Sequence, residues 1–269
     1  PDKRLYVFDE AWYGENNIKL LTETRVEKID SAGKQVVSEK GESYPYTKLI
    51  VATGARSNIP PFKGVEQAGV FALRSLGDAL VLKEAIKSAK TAVVIGGGVL
   101  GLEAVWEMVS SGVEVSVIEH NTRLMPRQLD EPSSLKLQQA MIDKGIKLYL
   151  GLDTEEILGD GRVTGVKLSD GQLLPADLVL LSTGVKPNTE LAQAAGLEIA
   201  QGVVVDGRMR TSAGDIYAAG DGAQFGERLI GLWPVSLEMG RVAGAAAAGD
   251  WVEYKPPIIS TMLVAFDLE

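Results

Sequence analysis

Residues 93–105 read "VVIGGGVLGLEAV". A run of β-branched residues, extended upstream as "TAVVI", stops at a glycine cluster, and "LEAVWEMVSSG" and "VEVSVIE" follow. Strand, glycine turn, helix and strand in that order make a βαβ unit. Within it Gly96, Gly98 and Gly101 have separate duties. The first lets the chain turn, the second lets backbone approach a pyrophosphate, and the third lets helix and strand pack closely. The free N–H groups at the helix start face the phosphates.

Glu119 ends the second strand, twenty-one residues beyond Gly98. The dinucleotide fingerprint expects an acid there, accepting hydrogen bonds from the adenosine ribose hydroxyls. The plainer alternative is a tight turn with a solvated strand-end glutamate. A carboxylate at 119 repels a 2′-phosphate and no Arg or Lys adjoins it, so NADH is favoured over NADPH. Arg123 and Arg127 read either as cations approaching the adenosine or its phosphates, or as a solvated pair on a loop. His120 reads as a solvated loop residue rather than an acid–base catalyst. Glu103, in the first turns of the helix, either complements the helix dipole or points to a second partner, because an acid beside a pyrophosphate opposes it.

Some ninety residues precede the turn. Alternation in "IKLLTETRVEKI" and "KQVVSEKGESYPYTKLIVATGA" makes residues 18–55 mostly β, with turns at "SAGKQ" and "EKGES". "NIPPFKGV" breaks regular structure, and an amphipathic helix begins near Asp78, placing a domain boundary near residue 75. After the βαβ unit come a second helix in "SSLKLQQAMIDKG", the strand "IKLYL", short turn-separated strands, and a close near residue 200. "GVVVDGRMRTSAGDIYAAGDGAQF" returns to short strands and "VSLEMGRVAGAAAAG" is a small-residue helix. The middle block thus interrupts another domain.

Composition narrows the function. The formal net charge of −9 argues against nucleic-acid and anionic-membrane partners, and there is no cysteine and one histidine, so thiolate sites, disulfides and histidine clusters are excluded within these residues. No apolar run approaches the roughly 18 residues of a membrane span, and no leader opens the chain, so a cytoplasmic location is expected. Both ends read as cut: the chain opens on Pro1, and "STMLVAFDLE" is an apolar strand-like run with no following partner.

"KLIVATGAR" and "DIYAAGDGA" each end a short apolar strand in glycine, which a single nucleotide domain does not require. Together with "VVIGGGVLGLEAV", "VIEHNTRLMPRQLD" and "STGVKPNTELA", they resemble the FAD-dependent pyridine nucleotide-disulfide oxidoreductases. "AWYGENNIKL", "RLMPRQLD" and "GLWPVSLEMGRVAG" are most similar to NADH-dependent rubredoxin reductases and the flavin segment of nitrite reductase large subunits.

The resemblance implies an α/β chain with two Rossmann-like dinucleotide-binding domains, an NAD domain inserted into a truncated FAD domain. Residues 1–75 and 202–250 are then FAD domain, 76–201 NAD domain, and 251–269 the start of an interface domain. FAD and NADH are the implied cofactors. Thr53, Gly54 and Ala55 form an FAD-domain strand end, with Arg56 near the FAD phosphates. Gly220 and Asp221 serve the ribityl chain, and Trp233 and Pro234 lie near the flavin ring. A tight turn, an Asx-type cap and a core tryptophan are the plainer readings of these sites. Val99, Leu100, Glu119, Arg127 and Gly184 contact NADH, and Glu103 sits by flavin and nicotinamide. The family's first glycine fingerprint, which holds the FAD pyrophosphate, belongs before the point where this chain begins.

The implied activity is electron transfer from NADH through FAD to a protein or small-molecule acceptor. Two alternatives stay open. One is an NADH oxidase, peroxidase or coenzyme A-disulfide reductase with its cysteine in a preceding segment. The other is a nucleotide-binding module without turnover. Neither the acceptor nor the oligomeric state is set by the sequence.

Overall fold

The computed structural model describes residues 7–227 and 229–268, so the first six residues of the opening segment and Glu269 of the closing run lie outside the described residues. The chain forms two compact units, one of residues 1–54 and 188–256, the other of 55–187 and 257–269.

The first segment of the first unit carries α1 (Glu10–Glu15), β1 (Val26–Asp30), β2 (Gln35–Ser38), β3 (Ser43–Pro45) and β4 (Leu49–Val51). Asp9 caps α1, its carboxylate accepting the Trp12 N–H at 3.0 Å. The three strands β1–β3 make an antiparallel meander. The strand expected from residue 18 begins only at Val26. Ile18, Leu20 and Leu21 are exposed, the Ile18 N–H turning back to the Tyr13 carbonyl at 2.8 Å, and no described strand pairs with this stretch, so its alternation forms no ladder.

The second unit holds β5 (Ala55–Ser57), β6 (Val70–Ala72), α2 (Leu76–Ile86), β7 (Thr91–Ile95), α3 (Val99–Ser110), β8 (Glu114–Glu119), α4 (Glu131–Asp143), β9 (Lys147–Leu150), β10 (Thr154–Gly159), β11 (Val163–Leu168), β12 (Leu173–Pro175), β13 (Leu178–Leu181) and β14 (Val185–Pro187). Its centre is a five-stranded sheet in the order β6-β13-β7-β8-β9, parallel throughout. Alternation along the strands divides the core. Ala92, Val94, Val115, Val117, Leu178 and Leu180 meet the helical residues Leu102, Val105, Met108, Leu137 and Met141. Val93, Ile95, Ile118, Val179 and Leu181 meet Ile157, Val163, Val166 and Leu174 of the antiparallel β10-β11-β12 sheet. A parallel sheet covered on both faces needs such continuous apolar strands. Each fully buried Val or Leu contributes about 1.5–3 kcal/mol.

The helix expected near Asp78 starts at Leu76, because Ser75 caps it and Asp78 closes a reciprocal capping box. The unit changes at 54/55 and 187/188, earlier than the expected boundaries after 75 and 201. Both shifts follow from strand pairing. β6 is hydrogen-bonded to β13, and β5 runs antiparallel to β14.

The first unit resumes with α5 (Glu190–Ala194), β15 (Val203–Val205), β16 (Ile216–Ala218), the 3-10 turn Gly220–Gly222, β17 (Ala223–Phe225) and α6 (Trp233–Ala248). β16 pairs parallel with β4, and β15 with β17. α6 buries Val235, Met239, Val242, Ala243 and Ala246, one helical face, against Val51, Ile216 and Ala218.

Among its described residues the closing run forms no strand. Instead Ala265 and Phe266 are buried in the core of the second unit, and the Phe266 ring meets Trp106 edge-on at 5.5 Å.

Candidate functional site

The glycine turn grades the space around α3. Gly96 has φ +111°, and a Cβ there would lie 2.3 Å from the Ser182 carbonyl oxygen. At Gly101 a Cβ would come 2.6 Å from the Gly96 oxygen and 2.9 Å from Ser182 Oγ. Gly98, between them, has nothing within 4 Å. Two glycines are thus required by packing, and the third faces open space at the helix start. Gly98 caps α3 without a side-chain hydrogen bond, so the first helical N–H groups, at Val99 and Leu100, remain for a ligand. Glycines packed on either side of an open, uncapped helix end fit a pyrophosphate.

Glu119 lies at the end of β8, 9% exposed. Its Oε2 accepts the Gly97 N–H at 2.7 Å, and its Oε1 accepts the Asn121 N–H at 2.8 Å and Asn121 Nδ2 at 2.5 Å. The glycine turn and the strand-end acid, distant in sequence, are therefore joined by a direct hydrogen bond. Arg123 does not form a solvated pair with Arg127. Its guanidinium donates to the carbonyls of Pro126 and Leu129 and braces the loop before α4. Arg127 is exposed. His120 Nδ1 lies 2.7 Å from Asp153, and this hydrogen bond raises the imidazole pKa above its ordinary value.

Glu103 is half-buried in the second turn of α3, whose first turn has no acidic residue. A helix dipole acts mainly within the first turn, so the dipole reading loses ground. Gly184 has φ +87° and open space around it. Its carbonyl accepts the Asn58 N–H at 2.9 Å, while Thr183 Oγ1 donates to the Asn58 carbonyl at 2.7 Å.

In the first unit, Thr53 Oγ1 donates to the Asn188 carbonyl at 2.7 Å, Asn188 Nδ2 donates to the Thr53 carbonyl at 2.9 Å, and the Asn188 N–H donates to the Gly54 carbonyl at 2.9 Å. This clasp fixes the turn after β4. A Cβ on Gly222 would lie 3.1 Å from the Gly54 oxygen, so the two glycine-ended strands are neighbours. Gly220 has φ +80°, and Asp221 accepts a 2.6 Å hydrogen bond from Ser236 Oγ in the first turns of α6. α6 begins at Trp233 with Pro234 in its first turn and no side-chain cap, and Trp233 is 66% exposed, which removes the core reading of that residue. Thr53, Gly54, Gly220, Asp221, Trp233 and Pro234 therefore share one unit, with an open helix start beside an acid and two glycine turns, a set that fits part of a second dinucleotide. Ala55 and Arg56 stand on β5 of the other unit.

Sequence reasoning missed Asn121, Asn188 and Ser236. Each is a polar residue whose role arises from the partner it meets in three dimensions. Only Asn121, two residues after the fingerprint acid, had a positional signal.

A family profile described as pyridine nucleotide-disulphide oxidoreductase matches residues 7–240. Nitrite reductase [NAD(P)H] of Bacillus subtilis is 37% identical over 99% of this chain and 33% of its own length. Nitric oxide reductase FlRd-NAD(+) reductase of Vibrio vulnificus is 38% identical over 85% of this chain and 60% of its own. The structure of NADH:rubredoxin oxidoreductase from Clostridium acetobutylicum matches with TM-score 0.81 and 33% identity, over 96% of this chain and 65% of that one. The chain thus spans between about a third and two thirds of each relative. By profile, fold and the two glycine-turn sites, it belongs to the pyridine nucleotide-disulphide oxidoreductase family, whose members are FAD-dependent NAD(P)H oxidoreductases.

Proposed function

We propose that the chain is the dinucleotide-handling part of an NADH-dependent flavin oxidoreductase that delivers electrons to a protein or small-molecule acceptor. The observation that carries this reading is the contrast between packed Gly96 and Gly101 and open Gly98, with Glu119 hydrogen-bonded to the same turn. The second unit is the NAD domain. The Val99 and Leu100 N–H groups receive the pyrophosphate, Glu119 accepts a ribose hydroxyl, and Arg127 and Gly184 border the nucleotide. Glu103, half-buried beyond the first turn of α3, serves the nicotinamide end of the site.

The first unit is the FAD domain. The clasped Thr53–Gly54 turn lies beside Gly222, Asp221 is aimed by Ser236 toward the ribityl chain, and Trp233 and Pro234 border the flavin ring. FAD, when bound, supplies the centre that takes the hydride of NADH and passes electrons on. The residues contribute position and need no side-chain nucleophile; the chain has no cysteine.

A protein acceptor is supported by the FlRd and rubredoxin reductases named above, each of which takes an electron-transfer protein in its name. Adding NADH to the purified, FAD-loaded chain is expected to bleach the flavin absorbance. A chain that binds neither NADH nor FAD would overturn the reading.

A further inference from the structure

A carboxylate offers about four acceptor positions. Three of those on Glu119 are filled, two by Asn121 and one by Gly97, which leaves one lone pair on Oε2. The backbone of Asn121 is itself held, its carbonyl accepting the Gly151 N–H at 2.9 Å from the loop after β9. The strand-end acid is therefore fixed before any nucleotide arrives, and among the described residues the side chain that hydrogen-bonds it is that of Asn121.

We propose that Asn121 is a positioning residue that sets the choice between NADH and NADPH by locking the Glu119 carboxylate against the glycine turn. The proposal rests on the dinucleotide reading of that turn. A locked carboxylate accepts a ribose hydroxyl and repels a 2′-phosphate. Without the Asn121 amide, Glu119 regains the freedom of its three side-chain torsions and is held only by backbone donors. Acceptance and repulsion then weaken together, so the two dinucleotides respond with opposite sign. Loss of fold would instead weaken both.

The test is a double-mutant cycle on the full chain, with NADH and NADPH dissociation constants measured by calorimetry for wild type, Asn121→Ala, Glu119→Gln and the double variant. The preference for NADH is expected to fall about tenfold in Asn121→Ala, the scale of one charge-assisted hydrogen bond, and to change less than about twofold when the same substitution is made on Glu119→Gln. Equal weakening of both dinucleotides by Asn121→Ala, no change in preference, or equal shifts in both backgrounds would overturn the proposal. If wild type binds neither dinucleotide, the reading of the turn falls, and the proposal with it. If wild type prefers NADH but Glu119→Gln leaves that preference intact, the turn stands while the roles of Glu119 and Asn121 fall.

Discussion

Gly98 and Gly101 stand one turn apart on the same helix start, yet a methyl group at each meets opposite surroundings. Gly101→Ala drives a Cβ to 2.6 Å from the Gly96 oxygen and is expected to destabilise the second unit by about 1–3 kcal/mol, read as a lower denaturant midpoint. Gly98→Ala enters open space with φ −86°, so its stability is expected to stay within about 1 kcal/mol of wild type. On the proposed dinucleotide reading, its NADH dissociation constant is expected to rise at least about tenfold, because a methyl there would stand in the pyrophosphate's approach. Equal losses of stability in the two variants would remove the distinction. Glycine spacing and the strand-end acid were readable because the glycine turn and the β8 end are separated by one helix of regular length. The Thr53–Asn188 clasp was not, since its partners are 135 residues apart and no local pattern links them.

Caps and charged pairs decide where the elements begin and how they respond to acid. Ser75→Ala removes the oxygen that accepts the Asp78 N–H and is expected to cost about 1 kcal/mol, seen as faster amide exchange in the first turn of α2. Periodicity located this helix, but its start lay two residues earlier because the cap, not the apolar pattern, sets the end. Asp215 receives hydrogen bonds from the ammonium groups of Lys34, in the β1–β2 turn, and Lys48, just before β4, which hold both to the turn before β16 and lower its carboxyl pKa to about 2 from 3.8. Since the folded value is the lower one, the stabilisation is present above about pH 4 and lost as pH falls toward 2. Asp215→Asn is expected to unfold with a weaker pH dependence between about pH 4 and 2 than wild type, a difference visible in urea midpoints. Identical slopes would show that these exposed pairs contribute nothing measurable.

At the scale of the whole chain, two units carry separate cores, and the last residues belong to the second. Phe266, 2% exposed against Trp106, is expected to cost about 3–5 kcal/mol when replaced by Ala. Hydrogen exchange should then quicken in β7, β8 and α3 while β4, β16 and α6 keep their protection; uniform loss would mean the units unfold as one. The interrupted domain order was legible because a βαβ pattern stands between two stretches of short strands. The places where the chain changes unit were not, because they depend on β5 finding β14, a pairing of three-residue strands too short to leave a pattern. That ribbon has one more consequence. Arg56 lies opposite Lys186, so the 55–187 block starts and finishes at adjacent points, as a cassette does. Its core, however, also takes in Leu263, Ala265 and Phe266, so an exchange of that block has to carry the closing run with it or leave those apolar side chains without their partners.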